Sequence, residues 1–94
     1  MGAGSQKKRI DFAPQDRLTA VQHLIRRFFA EVVQRDYRDF IITDLSDLYD
    51  IFQPAQVEAA LDRMDDHYFI DSRAANSTRI VDLLKLLHQR GVSA

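Results

Sequence analysis

The chain contains no cysteine, which removes both a disulfide framework and a thiolate zinc site. Glycine is scarce, at three in 94 residues, so no Gly-rich loop exists to cradle a phosphate. Apolar stretches end after a few residues, far short of the roughly 20 that a membrane-spanning helix requires. Lys7, Lys8 and Arg9 lead into Ile10-Asp11-Phe12 and not into an apolar run, so the N-terminus does not read as a secretory signal. The three histidines, His23, His67 and His88, fall on three different expected helices. Asp65-Asp66 precede His67, but successive helical residues point about 100° apart and do not converge on one ion. No metal site, cofactor site or catalytic constellation emerges. The expectation is a non-enzymatic domain, in a reduced cytoplasmic setting and away from membranes, that works by binding.

What is present is an ordinary globular composition, 46% hydrophobic and 29% charged. Its net charge of −1 conceals segregation. Residues 1–35 carry seven basic side chains against three acids, residues 36–72 two against ten, and residues 73–94 four against one. Opposed surface fields of this kind steer partners.

The length admits one domain. Residues 1–12 are small, polar and basic and read as a disordered tail, with the domain proper over 13–94. Leu18, Val21, Leu24, Ile25, Phe28, Phe29, Val32 and Val33 recur at helical spacing and predict a long first helix. That face is wide for so small a chain. Its surplus, Leu18, Val21, Ile25, Phe28, Phe29 and Val32, is the expected seam of a homodimer. Phe40-Ile41-Ile42 suggests a brief strand. Thr43 is a natural N-cap, with Asp44 in the first turn of a short second helix marked by Leu45, Leu48, Ile51 and Phe52. Gln53-Pro54 interrupts it and opens a third helix whose inner face is Val57, Ala60, Leu61, Met64 and Tyr68. Tyr68-Phe69-Ile70-Asp71 and Thr78-Arg79-Ile80-Val81, either side of a turn-rich polar stretch, read as a hairpin. Leu83, Leu84, Leu86 and Leu87 predict a short last helix that Gly91 ends.

Two short helices joined at Gln53-Pro54 and followed by an extended pair around a polar loop resemble a winged helix-turn-helix domain over residues 40–81. The resemblance implies a mainly α fold with a small β-hairpin (α+β). It also implies a regulatory or adaptor role, either on DNA through the third helix and the wing or on a protein partner. The third helix carries Glu58, Asp62, Asp65 and Asp66, which repel phosphate and suit a protein-partner face. Nucleic-acid contact as a transcriptional regulator is the alternative, with Lys7, Lys8, Arg9, Arg26, Arg27, Arg73 and Arg79 as the phosphate-facing residues. A short helical domain with an acidic middle is also similar to acyl carrier proteins. Their cofactor sits on a Ser within Asp-Ser-Leu, however. Here the matching helix opens Gln53-Pro54-Ala55-Gln56, and Ser46 stands in Asp44-Leu45-Ser46-Asp47-Leu48, which has the wrong order.

Overall fold

The computed structural model describes residues 16–94. The expected basic tail, with Lys7, Lys8 and Arg9, and the first residues of the expected domain, 13–15, lie outside the described residues. From residue 16 to 33 the chain is helical throughout, but its pitch changes three times. Helix α1 spans Asp16–Val21. A 3₁₀ turn covers Gln22–Leu24, α2 covers Ile25–Phe28, and a π turn covers Phe29–Val33. The order of apolar residues accounts for this. Val21 and Leu24 stand three apart, and only the three-residue period of a 3₁₀ turn eclipses them on one side. The adjacent pairs Phe28-Phe29 and Val32-Val33 call for the wider π turn, closed by the Gln34 amide donating to the Phe29 carbonyl at 2.6 Å.

Every one of these apolar side chains is buried except Ile25, which is partly exposed and packed on the same core. The six residues expected to form a dimer seam therefore line the chain's own interior. A second copy would have to open the core to reach any of them but Ile25.

Helix α3 spans Pro54–Tyr68 and α4 spans Ile80–Gln89. Pro54 occupies the first turn of α3, where its missing N–H costs nothing, and the Gln53 amide donates to Gln56 Oε1 at 2.9 Å. Val57, Ala60, Leu61 and Met64 are buried, as their spacing requires. Helix α1 packs on α4, and the π turn packs on α3. Helix α4 ends in a Schellman closure: the Val92 amide reaches the Leu87 carbonyl at 3.0 Å and the Gly91 amide that of His88 at 3.1 Å, with Gly91 at φ 83°.

The expected β-hairpin is absent, and with it the winged-helix architecture: no strand occurs among the described residues. The outer ends of the supposed hairpin belong to helices, and its remaining residues are irregular or, at Arg79, bridged to Asp47. Tyr68 completes α3, and Ile80-Val81 open α4, where burial outweighs their β-branching. The polar stretch between them becomes a 3₁₀ turn, Ser72–Ala75. Two carboxylates hold it, Asp65 Oδ1 accepting from the Ser72 amide at 2.6 Å and Asp71 Oδ1 from the Arg73 amide at 3.1 Å. The short strand expected at residues 40–42 finds no partner strand either.

The expected second helix shrinks to the 3₁₀ turn Leu48–Asp50, boxed by Asp50 Oδ2 accepting from the Asp47 amide and Asp47 Oδ1 accepting from the Tyr49 amide. One antiparallel bridge, Asp47 with Arg79, ties this turn to the start of α4. It is flanked by Leu48 N to Thr78 O at 3.1 Å and Ile80 N to Ser46 O at 2.9 Å. Asp44 does not serve its own turn. Its buried carboxylate crosses to α1 and accepts from the Arg17 amide at 3.0 Å and the Leu18 amide at 2.7 Å.

Asp44→Ala removes that remote cap, and its expected cost is about 2 kcal/mol of unfolding free energy in urea denaturation. Asp44→Asn should lose less, because one oxygen acceptor survives. Phe69 presents the opposite case. It closes α3 in the left-handed region at φ 56° while 93% exposed. Phe69→Gly should therefore stabilise the fold by about 1 kcal/mol in the same assay.

Candidate functional site

Of the five arginines named as phosphate contacts, the four among the described residues do not converge. Arg27 lies in a polar network on the flank of α2: its Nε donates to Glu31 Oε1 at 2.7 Å, its guanidinium stands 5.1 Å from the centre of the Tyr68 ring, and its Nη1 donates to the Ser93 carbonyl. Arg73 lies across the acidic face of α3, 2.9 Å from Glu58, 3.9 Å from Asp62 and 3.5 Å from Asp65. Arg79 stands beside Asp82 at the opening of α4. Arg26 lines a separate concavity next to the loop that follows the π turn. The acids expected as a partner face are thus partly neutralised by Arg73, with Asp66 exposed at the next position.

The Glu31 network is the most connected polar group outside the caps. The Tyr68 hydroxyl donates to Glu31 Oε1, and His67 Nε2 lies 2.9 Å from Oε2. Burial pushes the Glu31 carboxyl up, but hydrogen bonds from Tyr68 and Arg27, with the charges of Arg27 and His67, outweigh it and hold the group below its ordinary value. The Tyr68 hydroxyl is pushed well above its ordinary range, first by burial and then by its bond to Glu31. The network ties the end of α3 to α2 and to the π turn, which is structural work.

The surface that remains unexplained by packing is the segment joining the π turn to α3. Five large apolar side chains are exposed among the described residues, and four of them, Tyr37, Ile41, Leu45 and Tyr49, lie between positions 37 and 49. Ile41 is 87% exposed. Beside Ile41 a concavity of about 220 Å³ has an aliphatic lining of Ile41, Ile42, Ile51 and Ile80, with Asp47 and Asp50 at its polar side. This surface is rigidly carried: Asp44 pins it to α1, the Asp47–Arg79 bridge pins it to α4, and Thr78 Oγ1 donates to Asp47 Oδ1 at 2.8 Å.

No protein-family model, curated protein or solved structure matches this chain. No group of three or more His, Cys, Asp or Glu side chains able to hold a metal occurs among the described residues, and no helix among them is long and apolar enough to cross a membrane.

Sequence reasoning assigned Leu45 to the buried face of a helix and Ile41 to a strand, and so missed both as surface residues. The available signal was the density of acids around them. Asp39, Asp44, Asp47 and Asp50 leave few positions on which a helix could bury an apolar stripe.

The sign of Glu31's shift fixes a pH response. The folded state binds the Glu31 proton less readily than the unfolded chain, so the network's stabilisation is fully present above the ordinary value of 4.5 and is lost as pH falls below it. Thermal denaturation between pH 6 and pH 3 should show the melting temperature falling, and Glu31→Gln should flatten part of that slope.

Proposed function

We propose that the chain is a binding module that docks a protein partner through its 37–49 segment. The observation that carries this reading is the concentration of exposed apolar side chains in that segment, while the helices turn theirs inward. Clustered apolar exposure on an otherwise well-buried chain marks an interaction surface. The segment is also held in place before any partner arrives, which lowers the ordering cost of association.

The partner's chemistry follows from the rim. Asp39, Asp47 and Asp50 flank Ile41, Leu45 and Tyr49. A complementary segment offers aliphatic or aromatic side chains for the concavity beside Ile41 and Ile51, with Lys or Arg next to them to meet the carboxylates. An adaptor or regulatory role fits such a surface. The dispersal of Arg26, Arg27, Arg73 and Arg79 favours it over contact along a nucleic-acid backbone, which needs its cations on one face.

Selection of a random peptide library on the immobilised protein tests this directly. Enriched peptides should combine apolar and basic residues. Leu45→Ser with Tyr49→Ser should weaken their binding by about tenfold or more, with circular dichroism unchanged. Enrichment of acidic peptides, or binding indifferent to the two substitutions, would overturn the assignment.

A further inference from the structure

We propose that the concavity formed where the chain leaves the π turn is a site for a phosphate monoester carried on a side chain of a protein partner. It is an open concavity of about 350 Å³, lined by Arg26, Ala30, Arg35, Asp36, Tyr37 and Arg38. Arg26 and Ala30 come from the helical flank. Gln34, in the left-handed region at φ 62°, ends the helix, and residues 35–38 then run back beside Arg26.

Three arginines and one aspartate line this space, with Arg35 shared with a neighbouring concavity beside Phe52 and Arg63. Arg38 is held flat by Asp36 in a forked pair, Nε to Oδ1 at 3.0 Å and Nη2 to Oδ2 at 2.7 Å. Arg35 lies over the Phe52 ring, 5.5 Å from its centre. Arg26 makes no ion pair among the described residues. The Arg38 guanidinium is therefore fixed beside Asp36, and the Arg35 guanidinium rests on Phe52 at the border with the neighbouring concavity. Arg26, whose charge also acts on Asp36, keeps its donors for a ligand. The charge excess of two positive groups matches a phosphate monoester, which carries about −1.5 to −2 at neutral pH. Planar guanidinium forks suit its oxygens better than ammonium groups do. The nearby helix end does not cancel the field, because Arg63 Nε already donates to the Val32 carbonyl at 2.9 Å.

The surroundings select a single phosphate over a polyanion. Asp39 follows the site directly, and acids outnumber basic residues ten to two across residues 36–72. A nucleic-acid strand leaving the concavity along residues 39–62 would find no Lys or Arg for its further phosphates, while an isolated monoester needs none. Tyr37 belongs both to this lining and to the exposed apolar segment, so one partner chain can span the two. The protein source of the phosphate rests on the docking reading above. The anion site itself does not.

The test is an NMR titration at low salt, following the arginine Nε–Hε signals and the amides of residues 26 and 35–38. The probes are inorganic phosphate, a short phosphotyrosine peptide, the same peptide unphosphorylated, and a single-stranded oligonucleotide of similar length. Inorganic phosphate and the phosphopeptide should both produce saturable shifts there, and the unphosphorylated peptide should not. Arg26→Ala with Arg35→Ala should weaken phosphate binding by about tenfold or more. Asp36→Asn keeps the cap on the Arg38 amide but removes the competing charge, and should tighten phosphate binding by up to about fivefold, the worth of one exposed pair. Shifts absent at these arginines, or unchanged in the double variant, would overturn the site. An oligonucleotide binding more tightly than the phosphopeptide would overturn the protein source. The peptide selection described above uses no phosphate, so a failure there leaves this titration readable and the reverse also holds.

Discussion

The carboxylate of Asp44 is the interaction on which the arrangement of this chain depends. It is only 5% exposed, and a buried carboxylate is tolerated only where donors meet its oxygens. The amides of Arg17 and Leu18 supply them, at the end of α1 where backbone N–H groups lack helical partners and the dipole favours negative charge. The requirement is mutual, and it fixes a loop residue to a helix 26 positions earlier in the chain. Once Asp44 is placed, residues 46–48 fall beside residues 78–80 and form the single bridge that locks α4. Helices α1 and α4, which pack on each other, are thus tied through the same short loop. Leu45 and Tyr49, either side of that tie, are left facing solvent.

Helical periodicity carried well for the segments with one dominant face. Val57, Ala60, Leu61 and Met64 are inside α3, and the leucines of α4 are inside as expected. The first helix shows where periodicity misleads. Eight apolar positions looked like more than one core would take, because a uniform α-helix cannot bury all of them on one side. The chain changes pitch instead, and the apparent surplus goes inside. The hairpin was misread for a different reason. The turn-rich stretch between residues 68–71 and 78–81 is a local signal, whereas the caps that convert it into a 3₁₀ turn come partly from Asp65, on the preceding helix. Asp44 was legible as a first-turn acid after the Thr43 cap, but not as the cap of α1. Nothing local distinguishes a carboxylate that serves its own turn from one that reaches across the fold.

The acidic middle of the sequence looks different when its members are followed one by one. Asp36, Asp44, Asp47, Asp50, Asp65 and Asp71 each accept a backbone amide proton, and together they are six of the ten acids between residues 36 and 72. A chain with three glycines and long irregular connections has few residues that adopt tight turns without strain. Short carboxylates do that work by satisfying the amides that irregular backbone leaves unpaired. The acid count is largely a consequence of having so much non-repetitive backbone to hold.

This reassigns the charge and narrows where recognition can occur. Glu58 and Asp62 are engaged by Arg73, and the capping carboxylates are turned toward the backbone they hold. A broad negative field is therefore a poor description of the surface, and a partner attracted only by charge would find little of it concentrated. What stands out is local: an apolar segment between positions 37 and 49, edged by Asp39, and at its beginning the three arginines around Asp36. The Arg38–Asp36 pair lowers the Asp36 carboxyl to about 2, chiefly through the side-chain hydrogen bond, so that carboxylate remains ionised at any physiological pH. Because both partners are exposed, the pair adds little to stability. Its physical effect is to hold one guanidinium in a fixed plane beside two others.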